Sequence, residues 1–80
     1  MINAQDIRDR LTTVPFVPFQ IVTSSGNTYE VRHPDVVIAA RRYVHVGVFD
    51  DTDPIIPERI ATVSMLHITE LVPLPSLNAS

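Results

Sequence analysis

The alternation of apolar and polar residues from Phe19 to Val31 predicts a β-hairpin. Two runs rich in β-branched residues flank Ser24-Ser25-Gly26-Asn27, a cluster of turn formers whose glycine can adopt positive φ. A two-residue loop at Ser25-Gly26 would mix the two faces, whereas a three-residue loop from Ser25 to Asn27 gathers the apolar side chains on one face. We therefore predict the longer loop, which has three cross-strand pairs: Phe19 with His33, Ile21 with Val31, and Thr23 with Tyr29.

The residues before the hairpin have the spacing of one short amphipathic helix, at about residues 4 to 12. Asn3 is placed as its N-cap, and Asp6 stands at the third helical position, where a capping box has its second member. Pro15 ends the segment, because the residue before a proline is pushed out of the α region. The predicted apolar side of this helix consists of Ile7, Leu11 and Val14.

Further short apolar segments follow the hairpin, after His33-Pro34-Asp35 interrupts its second strand. The short link at Arg41-Arg42 predicts that the first two of these segments pair as a hairpin. Gly47 is expected to mark a bulge or a tight bend, and Met65-Leu66-His67 is expected to form a tight turn or one turn of 3₁₀ helix. The predicted strands are 36–40, 43–49, 59–64 and 68–72.

One helix followed by five or six closely spaced strands predicts a mainly β fold of the α+β type. In so short a chain, a bent antiparallel sheet that closes on itself buries its apolar face and removes open edges. We therefore expect a short N-terminal helix followed by a small, strongly bent five-stranded antiparallel barrel, SH3/Sm-like in architecture. The domain is expected to span residues 1–73, and residues 74–80 to form a flexible tail.

The chain has 80 residues, no cysteine and a net charge of −3. A cysteine nucleophile, a thiolate metal site and an intrachain disulfide are therefore excluded. The acidic balance disfavours duplex nucleic acid as a partner, because binding to phosphates normally needs a basic excess. The first six residues have neither the basic region nor the apolar core of a signal peptide, so a cytoplasmic protein is expected.

No group of residues in the sequence has the spacing of a known catalytic or metal site. The acidic loop that starts at Asp51 lacks the glycine and glutamate that an EF-hand requires at its sixth and twelfth positions. Ser64, His67 and Glu70 have the residue types of a hydrolase triad, but nothing marks a nucleophile elbow. We expect no catalytic residue, metal or cofactor, and a structural role for the candidate metal ligands His33, Asp35, His45 and His67.

The best candidate for a binding patch combines arginines with an aromatic residue. Arginine beside tyrosine can stack on a base or grip a carboxylate with two hydrogen bonds. The simpler interpretation is that the arginines keep a hairpin turn in contact with water. The possible binding patch consists of Arg32, Arg41, Arg42, Tyr43 and His67.

Two resemblances can be stated on these residues. The pattern Pro15-Phe16-x-Pro18-Phe19-x-Ile21, Ser25-Gly26, Tyr29-x-Val31-x-His33-Pro34-Asp35 and Leu66-His67-Ile68-Thr69-x-Leu71 resembles a group of small uncharacterised bacterial proteins. The order of elements is also similar to the Sm-like fold of the bacterial RNA chaperone Hfq. That resemblance implies RNA contact at His67, although Leu66 stands where Hfq has a lysine.

Hydrophobic residues make up 45% of the chain, which is rich for so small a core and indicates an interface. We expect a non-enzymatic small β-barrel that acts through protein contacts and forms a homo-oligomer through its open edges. The alternative is an Sm-like RNA-binding protein. A third, weaker hypothesis is a metal-dependent or hydrolytic activity.

Overall fold

The computed structural model describes residues 1–74 and has a mainly β fold with one short N-terminal helix. Its strands form two three-stranded antiparallel sheets, with the strand orders β2-β1-β6 and β3-β4-β5. Two 3₁₀ turns interrupt the chain, the first at Pro34–Val36 and the second at Met65–His67. The helix and strands are α1 (Ala4–Thr12), β1 (Phe19–Thr23), β2 (Thr28–Val31), β3 (Val37–Ala39), β4 (Tyr43–Val48), β5 (Arg59–Ser64) and β6 (Ile68–Pro73).

The N-terminal helix forms where the sequence predicts it, with Asn3 as N-cap. The Asn3 side chain accepts a hydrogen bond from the backbone N–H of Asp6 at 2.9 Å, and the Asp6 carboxylate accepts one from the Asn3 N–H at 2.9 Å. This reciprocal pair is a capping box, and it satisfies two N–H groups that have no partner inside the helix. Ile7 is fully buried. The prediction that Val14 belongs to the apolar side is wrong: α1 ends at Thr12, and Val14 is 92% exposed.

The β1-β2 hairpin has a three-residue loop as predicted, but the loop lies one residue earlier, at Ser24 to Gly26. Phe19 therefore pairs with Val31, and Ile21 with Tyr29. Gly26 has φ +89°, which fits the third position of such a loop, where positive φ is required. The shift moves each pairing by two residues, so the predicted buried face is unchanged.

The predicted hairpin between β3 and β4 is confirmed, since Val37 pairs with Val46 and the Ala40 N–H donates to the Tyr43 carbonyl at 2.9 Å. The prediction of a bulge at Gly47 is wrong, because β4 keeps a continuous register with β5 through this residue. A side chain at this position would lie 3.4 Å from the Pro57 side chain. This is ordinary van der Waals contact, so a small side chain would be in contact with the loop at this position without a clash.

The core lies between the two sheets and under α1, which packs against β3. The largest fully buried side chains are Ile7, Phe19, Ile21, Val31, Val44 and Val46. Thr23 is the buried polar residue of the described region, and its hydroxyl donates to the Asn27 carbonyl at 3.1 Å. No closed barrel is found within residues 1–74, so the five-stranded barrel stays a prediction.

The Leu74 N–H donates to the Pro18 carbonyl at 2.9 Å, which holds the end of β6 beside the start of β1. The rest of the predicted tail lies outside the described residues. Within residues 1–74 no helix is long and apolar enough to cross a bilayer.

Candidate interaction surface

The exposed side of the β3-β4-β5 sheet is the main candidate surface, and we call it the outer face. Val44 and Val46 of β4 point into the core opposite Val63 and Ala61 of β5. The alternate residues of these strands therefore point outward. The outer face consists of Ile38, Tyr43, His45, Ile60, Thr62 and Ser64.

Apolar side chains surround one polar pair on the outer face. His45 lies opposite both Ile38 and Thr62, and its Nδ1 is 3.0 Å from the Thr62 hydroxyl oxygen. The exposed fractions are 68% for Ile38, 50% for Tyr43 and 59% for Ile60. Exposed apolar residues that cluster on one face indicate a contact surface more strongly than scattered ones.

The four sheet edges differ in how well they are protected against a further strand. Edge strands usually avoid unwanted pairing by being short or by carrying charges or proline. β2 carries Glu30, β6 carries Glu70 and ends at Pro73, and β3 has three residues. β5 has six residues, and its one charge is Arg59 at the first position. β5 is therefore the least protected edge of the described chain.

Four of the five residues of the possible binding patch lie in the β3-β4 turn, at the start of β4 and in the second 3₁₀ turn. The Arg41-Arg42 turn leads into Tyr43, and the Arg42 carbonyl accepts a hydrogen bond from the Met65 N–H at 2.8 Å. Met65 starts the second 3₁₀ turn, which ends at His67. The arginine turn and His67 therefore lie on neighbouring elements. Binding at these residues stays a prediction.

Arg32 lies apart from this group, just after β2, where it forms an ion pair with Glu30 at 2.6 Å. Both side chains are about half exposed, so the pair adds little to stability. Arg32 lines a cleft of about 500 Å³ between β2 and the end of β4. Phe49, Asp50 and Pro54, which follow β4, also line it.

A smaller pocket of about 260 Å³ lies between the β1-β2 turn and β5. His67 and Ser24 meet there in two ways: the Ser24 N–H donates to the His67 carbonyl at 2.7 Å, and the Ser24 hydroxyl lies 3.4 Å from Nδ1. The residues that line it are mostly polar and include no Asp, Glu, Lys or Arg, and Tyr29 adds an aromatic ring.

The residues considered for metal or catalytic chemistry take up separate positions. His33 follows β2, His45 lies on the outer face and His67 lies on the second 3₁₀ turn. Within residues 1–74 no group of three or more potential ligands is close enough to hold a metal ion. The Ser64 hydroxyl accepts from the Leu66 N–H at 3.3 Å, so it acts as a cap of that turn.

The acidic loop is organised by hydrogen bonds to its own backbone. The Asp53 carboxylate accepts N–H donations from Ile55 at 2.8 Å and Ile56 at 3.1 Å. These bonds favour the charged form, and they hold the pKa of Asp53 below its ordinary value of 3.8. Asp50 accepts a similar donation from Thr52 at 2.9 Å.

The outer face and the β5 edge were not singled out from the sequence. Ile38, Ile60 and Thr62 are ordinary strand residues until the register shows that they share a face with Tyr43 and His45. The available signal was the period-2 pattern of β5, in which Ala61 and Val63 alternate with Ile60 and Thr62.

Comparisons with protein-family models, with curated proteins and with solved structures find no match.

Proposed function

We propose that this protein is a non-enzymatic small β-domain that acts through protein contacts and self-associates, with the outer face as its contact surface. One observation carries the proposal: Ile38, Tyr43 and Ile60 are each at least half exposed and surround the His45–Thr62 pair. Water contact with these side chains is unfavourable by roughly 25 cal/mol per Å² of apolar surface, which burial against a protein partner would relieve. The cytoplasmic location expected from the sequence stays a prediction.

We also propose that the two sheets are the halves of a small bent barrel of the SH3/Sm type. Two connections support this. β2 continues through the first 3₁₀ turn into β3, so the two read as one bent strand shared between the sheets. The second 3₁₀ turn leads from β5 into β6, which returns to pair with β1. Counting β2 and β3 as one strand gives the predicted five.

The contact surface can be mapped by NMR on the full chain at several concentrations. If the outer face self-associates, the backbone amide signals of Ile38, His45 and Ile60 shift on dilution. Signals from the β2-β1-β6 sheet serve as the internal control and stay in place. Shifts that concentrate on β1 and β2, or a spectrum that does not change with concentration, would contradict the proposal.

RNA binding is the second candidate function, and the smaller pocket favours it. His67, Asn27 and Tyr29 offer donors, acceptors and an aromatic face there, and single-stranded bases are recognised by such groups. The Arg41-Arg42 turn on the neighbouring element would supply positive charge for the phosphates. The net charge of −3 weighs against it.

A filter-binding assay with U-rich and A-rich RNA tests this second candidate. Salt-sensitive binding that is lost in His67→Ala and kept in His33→Ala would support it, because His33 lines the separate larger cleft. Absence of binding to both RNAs, or equal loss in both variants, would remove the pocket as an RNA site.

A further inference from the structure

We propose that two copies of this chain pair antiparallel through β5, which joins their β3-β4-β5 sheets into one continuous sheet across a twofold axis. This inference rests on the proposed self-association and names the edge and the register that carry it.

Two hydrogen bonds fix the direction of the backbone groups in this sheet. The Arg42 carbonyl accepts from Met65, at the end of β5, at 2.8 Å, and the Tyr43 carbonyl accepts from Ala40, at the end of β3, at 2.9 Å. Backbone groups alternate in direction along an antiparallel strand. The backbone N–H and C=O groups of Val44 and Val46 therefore point toward β5. Those of their partners, Val63 and Ala61, point back toward β4.

The other residues of β5, namely Ile60, Thr62 and Ser64, consequently turn their N–H and C=O groups to the open edge. Among the described residues, β5 pairs with β4 alone. Thr62 and Ser64 also line the smaller pocket, whose opposite wall is the β1-β2 turn, so a further strand has to fit beside that turn. An edge of this kind is a template for a further strand.

Side-chain facing restricts the register of two paired β5 strands. A slip of one residue would place the core side chains of one copy on the outer face of the other. Residues with open backbone groups must therefore pair with each other. Three registers pair at least two of the open positions, and they are centred on Thr62, on Ala61 and on Val63. The register centred on Val63 sets Ile60 opposite Leu66, which lies beyond β5.

The register centred on Thr62 uses the edge more fully. It pairs Thr62 with the same residue of the second copy and Ile60 with Ser64, so all three open positions form hydrogen bonds. The register centred on Ala61 leaves Ser64 beyond the paired segment and sets Arg59 opposite Val63. The geometry therefore favours the Thr62-centred pair.

The distribution of charge favours β5 over the β2 and β6 edges for pairing with a second copy. The segment from Ile60 to Ser64 contains no charged residue, although the chain carries a net charge of −3. Two like-charged copies can meet here without bringing carboxylates together. A pairing through β2 would instead place Glu30 at the contact, and one through β6 would place Glu70 there.

Disulfide cross-linking tests the register directly, because the chain contains no cysteine. Residues directly opposite in a hydrogen-bonded antiparallel pair have Cα atoms about 5.5 Å apart, within the range of roughly 4.4–6.8 Å that a disulfide spans. Thr62→Cys is therefore expected to form a covalent dimer under mild oxidation as the main species on a non-reducing gel. The exposed Thr28→Cys on β2 is the matched control and stays monomeric.

A second pair of variants keeps Thr62 and its bond to His45 intact. A mixture of Ile60→Cys and Ser64→Cys is expected to give the mixed dimer, and circular dichroism confirms that each variant is folded. The Thr62-centred register would be overturned if Ile60→Cys cross-linked to Thr62→Cys, while Thr62→Cys alone and the mixture of Ile60→Cys with Ser64→Cys gave no covalent dimer. Self-association without any β5 cross-link would overturn the edge and leave the proposed function standing. A wild-type chain that remains monomeric would contradict both the pairing through β5 and the proposed self-association.

Discussion

Thr62 lies directly opposite His45 on the exposed side of the β3-β4-β5 sheet, with its hydroxyl oxygen 3.0 Å from the histidine Nδ1. This pair is the polar centre of a surface whose neighbours, Ile38, Tyr43 and Ile60, are apolar and exposed. The hydrogen bond lowers the cost of covering this pair with a partner, which would still have to offer a hydrogen bond to Nε2 of His45. The arrangement therefore suits a contact surface.

Ile60→Glu is expected to weaken self-association. The substitution places a carboxylate at the proposed contact, opposite Ser64 of the second copy, where it would be partly desolvated without a cationic partner. We expect the dissociation constant to rise by roughly tenfold or more. Sedimentation velocity across a concentration series measures the change.

Ile56→Glu is the control for this prediction. Ile56 is 66% exposed in the loop after β4, close to the 59% of Ile60, and it lies off the outer face. The control adds the same charge and is expected to leave self-association within about twofold of wild type. Equal weakening by both variants would show that net charge, and not the outer face, decides association.

Asn3→Ala is expected to lower the free energy of unfolding by about 1 kcal/mol, because it removes the side-chain acceptor of the capping box. Asn3→Asp keeps an acceptor at the same place and is expected to be close to wild type. Urea unfolding followed by circular dichroism measures both. An Asn3→Ala variant as stable as wild type would mean that α1 contributes little to the fold.

Gly26→Ala is expected to destabilise the protein by about 1–2 kcal/mol, because Gly26 has φ +89° and an L side chain rarely adopts that region. Nothing lies within 4 Å of the position that an added Cβ would occupy, so the effect is one of backbone strain and not of packing. Gly26→Asn is expected to be milder, since asparagine tolerates the left-handed region better. Equal unfolding midpoints for Gly26→Ala and wild type would contradict the loop assignment.

The free energy of unfolding is expected to depend on pH through the carboxyl group of Asp53. Its folded-state pKa is lowered by N–H donation from Ile55 and Ile56, so its stabilising effect is present above the ordinary value of 3.8. The effect is lost as pH falls through the lowered folded-state pKa. Asp53→Asn is expected to lose less stability than wild type between about pH 7 and about pH 3. Asp51→Asn controls for removal of one negative charge, and an equal response in both variants would contradict the prediction.

The sequence predicts the local elements of this fold well, for reasons visible in single residues. Asn3 and Asp6 mark the start of α1 because a capping box is a local signal. The two-residue link at Arg41-Arg42 predicts the β3-β4 hairpin, which is confirmed. The predicted position of the β1-β2 loop is one residue too late. Two registers that differ by two residues place the same side chains on the buried face, so the burial pattern cannot distinguish them. The positive φ of Gly26 distinguishes them, because it fits the third position of the observed loop.

The candidate surface could be predicted only in part. Arg41, Arg42, Tyr43 and His67 are found on adjacent elements, while Arg32 pairs with Glu30 beside a separate cleft. The outer face needs the registers of three strands, which no single segment encodes. The open edge of β5 likewise depends on which strands pair with which.

Absolute mass in solution, measured by light scattering after size exclusion, tests the central claim most directly. Antiparallel pairing through β5 predicts a dimer, with a mass roughly twice that of the 8.9 kDa chain. A hexamer or heptamer would favour the Sm-like ring and move RNA binding to the first place. A monomer at every accessible concentration would contradict self-association, and with it the proposed pairing through β5.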